Sequence, residues 1–391
     1  MVKKLHICLN MIADSDWLGG VIYVQNLACA IAHLPALERS NITLSLTVRA
    51  SHSNLVDHTV RPYVDQVKVR HFWDLAYLKI YHLLSEYLTF IPLNILNPQK
   101  VDFLYPNLDG RRYPYCWGGW IPDFQHYHLP HLFTKEEIAY RNQQHQKIAD
   151  AAPVVILSSQ MAQQDFNNFY PEAASRSRVM HFVSSPELEW FQLDPKGVQH
   201  KYKLPDFFFL VSNQFWQHKD HAVVIEALGL LKQTGIKPTV VCTGNTTDNR
   251  NTKYYNQLII RIKELELGDQ VKILGLIPRL DQIQLMRRCL AVIQPSLFEG
   301  WSTVVEDART LGKPMLISDF PVHLEQAPLD SLFFEMHNYE QLARLISQAF
   351  LTLNPGPDIE NEILARQDNV ERVIKYGRRF LEIVNGVVNG S

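Results

Sequence analysis

Glu299, Ser302, Thr303, Glu306 and Asp307 fall within nine residues of one another, in the segment QPSLFEGWSTVVEDARTLGKPMLISDFPVHLEQ that runs from Gln294 to Gln326. Ser302 and Thr303 mark the start of a helix, and Gly312 and Pro314 mark its end. Unpaired backbone N–H groups at such a start suit a phosphate, which the helix dipole favours by about 0.3–2 kcal/mol. A carboxylate such as Glu299, in a loop with Gly300 and Trp301, suits the hydroxyls of a sugar. A lone loop Glu would ordinarily be read as a helix cap or a solvated group; its place between a strand and a helix start favours a ligand. Glu306 and Asp307 are about 100° apart around the helix, so one ligand engages only one of them well. Thr303-x-x-Glu306 matches a capping box, which would turn Glu306 back to the Thr303 N–H and leave Asp307 for ribose hydroxyls. The choice between the two acids stays open.

The other candidates lie at the ends of apolar runs. Lys219 lies in SNQFWQHKDH (Ser212 to His221), directly after the run Phe207 to Val211. A cation at a helix start gains nothing from the dipole, and a bound phosphate would give it a reason to be there. Asn213, Gln214 and Trp216 beside it suit a nucleotide. Gly244, after VVCT, together with Leu276 and Ile277 in LGLIP, would line a flat base pocket, although packing turns account for them nearly as well. Gly19 and Gly20 follow the first apolar run and read as a loop before a helix, allowing backbone to approach a ligand closely. Asp123, His126, His128 and His131 lie in WIPDFQHYHLPHLF. A loop Asp and His near a transfer centre could orient an acceptor hydroxyl. Three histidines also invite a metal, but Pro122 and Pro130 argue for a loop and no second ligand cluster accompanies them, so zinc is not expected. Asp14-Ser15-Asp16 reads as a turn or helix cap. With Lys219 and a helix N-terminus available for phosphate charge, neither a metal nor another cofactor is required.

The elements that must position these groups alternate strand and helix along the chain, which predicts parallel sheets with crossover helices. Strands are expected at Leu5–Asn10, Ile42–Ala50, Val67–Phe72, Val101–Tyr105, Cys116–Ile121, Val154–Ser158 and Val179–Val183. A second series covers Phe207–Val211, Thr239–Cys242, Val271–Leu274, Cys289–Ile293 and Met315–Ile317, with a closing helix from Arg366 to Val388. Residues 187–205 lack a clear period and read as a linker between a domain 1–186 and a domain 206–370, with 371–391 returning toward the first. Two doubly wound α/β halves would leave a cleft between facing strand ends.

A length of 391 residues suits two such domains. A net charge of −2 gives no electrostatic case for nucleic acid. The five scattered cysteines, with no CxxC pair, argue against a disulfide framework and fit a reducing cytosol. MVKKLHICLNMIA lacks a long apolar core and a cleavage site, and reads as a first strand rather than a leader. No window offers the roughly 20 apolar residues of a membrane span. Phe72 to Leu96 comes nearest and reads first as a core or interdomain helix. Its second reading is a peripheral surface touching lipid at the inner face of a membrane.

Taken together, Pro295 to Gln326 resembles the signature of the retaining glycosyltransferases of family four (group 1), which have the GT-B fold of two Rossmann-like domains facing a central cleft. Glu299, Gly300 and Asp307 fall on the family's Glu, Gly and second acid, with Gly312 and Pro314 in register. SNQFWQHKDH resembles the family's phosphate-binding segment: Lys219 fits, but Gln214 stands where an Arg is usual. WIPDFQHYHLP resembles its acceptor-side loop, with His126 matching the active-site His, and Gly19-Gly20 its Gly-rich loop. Ser158-Ser159 and Asp165 resemble a stretch ending the first domain. The resemblance implies transfer of a hexose or derivative from a nucleoside diphosphate donor to a hydroxyl of a sugar, lipid-linked or small-molecule acceptor. Anomeric configuration would be retained, in the synthesis of polysaccharide, glycolipid or another glycoconjugate. It assigns His126, Glu299 and Lys219 to catalysis, and domain closure to the exclusion of water. A GT-B epimerase or phosphorylase, or a non-catalytic nucleotide-sugar-binding protein, is the alternative.

Overall fold

The computed structural model describes residues 4–12, 18–50, 60–70, 100–248 and 250–390. Asp14-Ser15-Asp16 and the run Phe72–Leu96 lie outside them. The chain divides into two units, residues 1–185 with 370–391, and residues 186–369.

The first unit is built on seven parallel strands: β1 (Leu5–Asn10), β2 (Ile42–Arg49), β3 (Gln66–Arg70), β4 (Phe103–Asn107), β5 (Cys116–Ile121), β6 (Val154–Leu157) and β7 (Ser177–Val179). Their order is β3-β2-β1-β4-β5-β6-β7. The second unit has six: β8 (Phe208–Ser212), β9 (Thr239–Thr243), β10 (Val271–Gly275), β11 (Val292–Gln294), β12 (Met315–Ser318) and β13 (Ser331–Phe334), in the order β10-β9-β8-β11-β12-β13. Both orders reverse once, between β1 and β4 and between β8 and β11. That is the doubly wound pattern whose ligands sit at the reversal, beyond the carboxyl ends of the strands. Every residue of β8, β11 and β12 is buried, because helices cover both faces. One core packs the helices His221–Gln233, Tyr254–Glu264 and Tyr339–Thr352 against one face of the second sheet. The other packs Arg279–Arg288 and Thr303–Thr310 against the opposite face.

Three expectations change. Residues 187–205 are not an open linker: they form helices Glu189–Gln192 and Pro195–Lys201 within the second unit. Trp190 is buried in its core, and Asp194 caps the second helix through the N–H groups of Lys196 and Gly197 at 3.0 and 3.2 Å. The seventh strand is Ser177–Val179 rather than Val179–Val183. The last helix begins at Ile359, earlier than its expected start at Arg366, and runs to Val388. Its first part is anchored by the buried Arg287–Glu362 pair at 2.7 Å and by Asn369 donating to Thr310 Oγ1 at 2.9 Å. From Val370 onward it belongs to the first unit, where Phe380 packs on Phe103 and Tyr105.

Candidate functional site

Four loops converge at the reversal of the second sheet, and hydrogen bonds fix their order. After β8, Asn213 Nδ2 donates to Gln294 Oε1 at 2.9 Å, joining the ends of β8 and β11. Gln294 Nε2 in turn reaches Glu299 Oε1 at 2.9 Å, Ser296 Oγ at 3.1 Å and Ser302 Oγ at 3.2 Å. Leu297 N donates to the carbonyl of His218 at 2.8 Å, which holds the loop of Lys219 against the loop of Glu299. The result is an ion pair of 2.5 Å between Lys219 Nζ and Glu299 Oε1, with side chains 12% and 10% exposed. Burial alone would raise the Glu299 carboxyl, but the Lys219 charge, then His323 and hydrogen bonds from Lys219 and Ser296, hold it below its ordinary range. Glu299 is therefore an ionised acceptor at neutral pH.

Ser302 is the N-cap of the Thr303–Thr310 helix, its hydroxyl accepting from Val305 N at 3.4 Å. The expected box of Thr303 with Glu306 is displaced by one residue, so that Val305 stands where the box needs an acid. The reason lies in the next helix. Gln326, from Pro321–Gln326, accepts from Ser302 N at 3.1 Å and donates to the Ser302 carbonyl at 3.1 Å and to Glu306 Oε1 at 3.2 Å. Ser302 N–H is thus already used, and a phosphate would instead meet the N–H groups of Thr303 and Val304. Glu306 and Asp307 are both fully buried. Asp307 Oδ2 lies 2.5 Å from Arg279 Nη2, at the start of the Arg279–Arg288 helix. Asp307 therefore faces a guanidinium rather than open space, an arrangement no local signal announced.

Gly244 ends β9 with φ +136°, and a Cβ there would lie 2.2 Å from the carbonyl oxygen of Asn213. Only glycine allows β9 to approach the Asn213–Gln214 backbone so closely. Gln214 is turned away to accept from Asn245 N at 2.6 Å. Leu276 is exposed and Ile277 half-buried beyond β10. Trp301 is buried next to Gly300.

In the first unit, Gly19 and Gly20 lie in the first turn of the helix Leu18–Ala32 rather than in a loop before it. Asp123 Oδ1 accepts from Gln125 N at 2.9 Å and opens the short helix Gln125–His128. His126 is 1% exposed, packed among Phe124, Tyr127, Phe133 and His145, with Nε2 on Asn142 Oδ1 at 2.8 Å. Burial and Arg141 lower its pKa, against the hydrogen bond to Asn142 and the Asp123 charge, which raise it. These rings and Asn142 enclose the His126 imidazole within the first unit. His128 pairs with Asp165 at 2.7 Å. Among the described residues no group of three or more His, Cys, Asp or Glu is placed to hold a metal ion, and no helix is long and apolar enough to cross a membrane. Two hollows, of about 670 and 380 Å³, lie at the other end of the first unit's strands, away from all these groups.

Residues 197–354 match the model of the family described as glycosyl transferases group 1. No curated protein sequence matches the chain. Among solved structures, HepE of Anabaena in complex with UDP is similar at a TM-score of 0.64 and 16% identity, over 98% of this chain and 100% of that one. HepE has also been crystallised with UDP-glucose. A glycosyltransferase of Rickettsia africae gives a TM-score of 0.67 at 16% identity, over 99% and 100% of the two chains. Sucrose-phosphate synthase of Thermosynechococcus elongatus gives 0.67 at 14% identity, over 99% and 100%. The fold is GT-B, with two Rossmann-like α/β units.

Proposed function

We propose that this chain is a glycosyltransferase that moves a hexose or related sugar from a nucleoside diphosphate donor to a hydroxyl acceptor, with retention at the anomeric carbon. One observation carries the reading: an ionised, almost buried carboxylate paired to a lysine at the sheet reversal, directly before a helix whose Thr303 and Val304 N–H groups have no partner among the described residues. The family model covers all of these residues, which supports the assignment. That HepE is crystallised with UDP and UDP-glucose supports the donor class.

Lys219 Nζ has three hydrogens, and its hydrogen bond to Glu299 leaves others for a phosphate. As the sugar–phosphate bond breaks, the charge growing on the diphosphate is stabilised by Lys219 and by the two N–H groups, which are already oriented. Glu299, kept ionised, accepts from hydroxyls of the sugar being transferred, while the diphosphate leaves. Asp123, beside the Gln125–His128 helix, is the acceptor-side candidate that retains a partly exposed carboxyl.

Incubation with UDP-, GDP- and ADP-sugars, with products read by mass spectrometry, tests the reading. A donor consumed by the wild type and spared by Glu299→Ala supports it. A donor epimerised without any acceptor would replace it with the epimerase alternative, and no binding of any nucleotide would end it.

A further inference from the structure

Lys219 shares its ammonium with Glu299 at 2.5 Å, and the several anionic oxygens of a diphosphate call for donors beyond those it has left. Gln214 adds no charge and is tied to Asn245. Arg250, beyond β9, is turned onto Asp248 at 3.1 Å and over the Trp216 ring at 4.8 Å. Arg279 differs from these. It stands at the positive end of its own helix, at the carboxyl end of β10, where the dipole disfavours a cation. It is nevertheless held on three sides. Wholly buried Asp307 takes Nη2, Gln282 Oε1 takes Nη1 at 3.0 Å, and the Trp190 ring lies 5.3 Å from the guanidinium carbon. Gln282 continues the chain by donating to Ser212 Oγ, at the end of β8 where Asn213 and Gln214 begin. The Arg279 side chain is still 32% exposed, so part of this clamped cation faces solvent at the same end of the sheet as Lys219.

Resting on the donor reading above, we infer that Arg279 is the second cation of the nucleotide-sugar site and contacts the donor's diphosphate. Asp307 is then a positioning residue: its carboxylate aims the guanidinium and does not itself receive the ribose hydroxyls. Lys219, after β8, and Arg279, after β10, are then each paired with a carboxylate that follows β11, and the N–H groups those pairings do not use can reach phosphate oxygens, the planar fork two at once.

The test is calorimetry with UDP, GDP and ADP over a range of salt, with the parent nucleosides followed by ligand-observed NMR. Arg279→Gln is expected to weaken the bound diphosphate by about tenfold to a hundredfold and to flatten its salt dependence, with nucleoside binding unchanged. Arg279→Lys keeps the salt dependence. Asp307→Asn weakens the diphosphate in the same sense, and the double variant R279Q/D307N binds no more weakly than R279Q. The double variant leaves no buried carboxylate unpaired and so guards against misfolding. If it binds the diphosphate like the wild type, the inference fails. If the wild type prefers the ribo- over the 2′-deoxyribonucleotide and Asp307→Asn erases that preference, Asp307 touches the ribose and its positioning role fails. Should the wild type bind none of the three diphosphates, the donor reading itself falls.

Discussion

Replacing Lys219 with Met strands the carboxylate of Glu299. At 2.5 Å the pair attracts by about 6–7 kcal/mol at an effective dielectric near 20, and the lost hydration of both ions offsets much of this. Removing one partner of such a pair costs about 3–5 kcal/mol, because the other charge stays behind without its counter-ion. Gln294 Nε2 still donates to Glu299 in the variant, so the expected loss is about 2–4 kcal/mol. Glu299→Gln should cost less, about 1–2 kcal/mol, since the flexible lysine stem can carry its ammonium to water. The double variant K219M/E299Q should return to within about 1 kcal/mol of the wild type. Hydrogen exchange read by mass spectrometry on peptides spanning β8, β11 and the Glu299 loop measures this locally. Lys219→Met should speed exchange there by about thirtyfold to a thousandfold, and the double variant should restore most of the protection. Glu299 titrates lower folded than unfolded, so it lends stability above the ordinary carboxylate range and loses it as the pH falls through its own lowered value. Strictly additive single variants would refute the coupling, and with it the account of why Glu299 stays ionised.

Four further outcomes follow from the same physics. His145, His221 and His323 are buried, and burial pushes their pKa values to about 3, about 3 and about 4. The unfolded chain takes up these protons near pH 6.5, so stability should be full above that pH and fall toward pH 4, by up to about 1.4 kcal/mol per pH unit for each ring; urea midpoints at pH 7 and 5 check it. Gly244→Ala forces a Cβ onto the Asn213 carbonyl at positive φ, and should cost about 2–4 kcal/mol in chemical denaturation together with nucleotide affinity. Ser302→Ala removes the cap of Val305 N and one partner of Gln294, a loss of about 1–2 kcal/mol visible as faster exchange at Val305. Arg287→Ala leaves Glu362 buried and unpaired, and should destabilise the second unit by about 3–5 kcal/mol in thermal melts, with Arg287→Ala/Glu362→Ala recovering part of the loss.

Much of the second unit was legible because its strands are short apolar runs closed by turn residues. FFLVS, TVVCT and MLIS announce buried parallel strands, and Ser302 with Gly312 and Pro314 brackets a helix. The helices at 189–192 and 195–201 were missed although Asp194-Pro195 is a readable N-cap with proline in the first turn. Four to seven residues give too few turns for a hydrophobic period to show. Gly19-Gly20 misled in the opposite way, since a glycine pair looks like a loop even when it opens a helix. His126 was read by its company in the chain, whereas Phe124, Phe133, Asn142 and His145 enclose it from residues up to 19 positions away.

The sequence by itself determined the α/β class, the division of the chain into two windings and the short list of polar residues at strand ends. These follow from local period and capping, which act over a few residues. Which of those polar residues meet was decided only by the tertiary structure. Lys219 and Glu299 are 80 positions apart, Arg279 and Asp307 28, and Gln326 reaches back 24 to seal Ser302. Such pairings depend on strand order and on where each helix starts above the sheet. A buried charge then settles on whichever opposite charge or hydrogen-bond partner the packing brings within 3 Å, because in a low-dielectric interior going without one costs more than any local preference can supply.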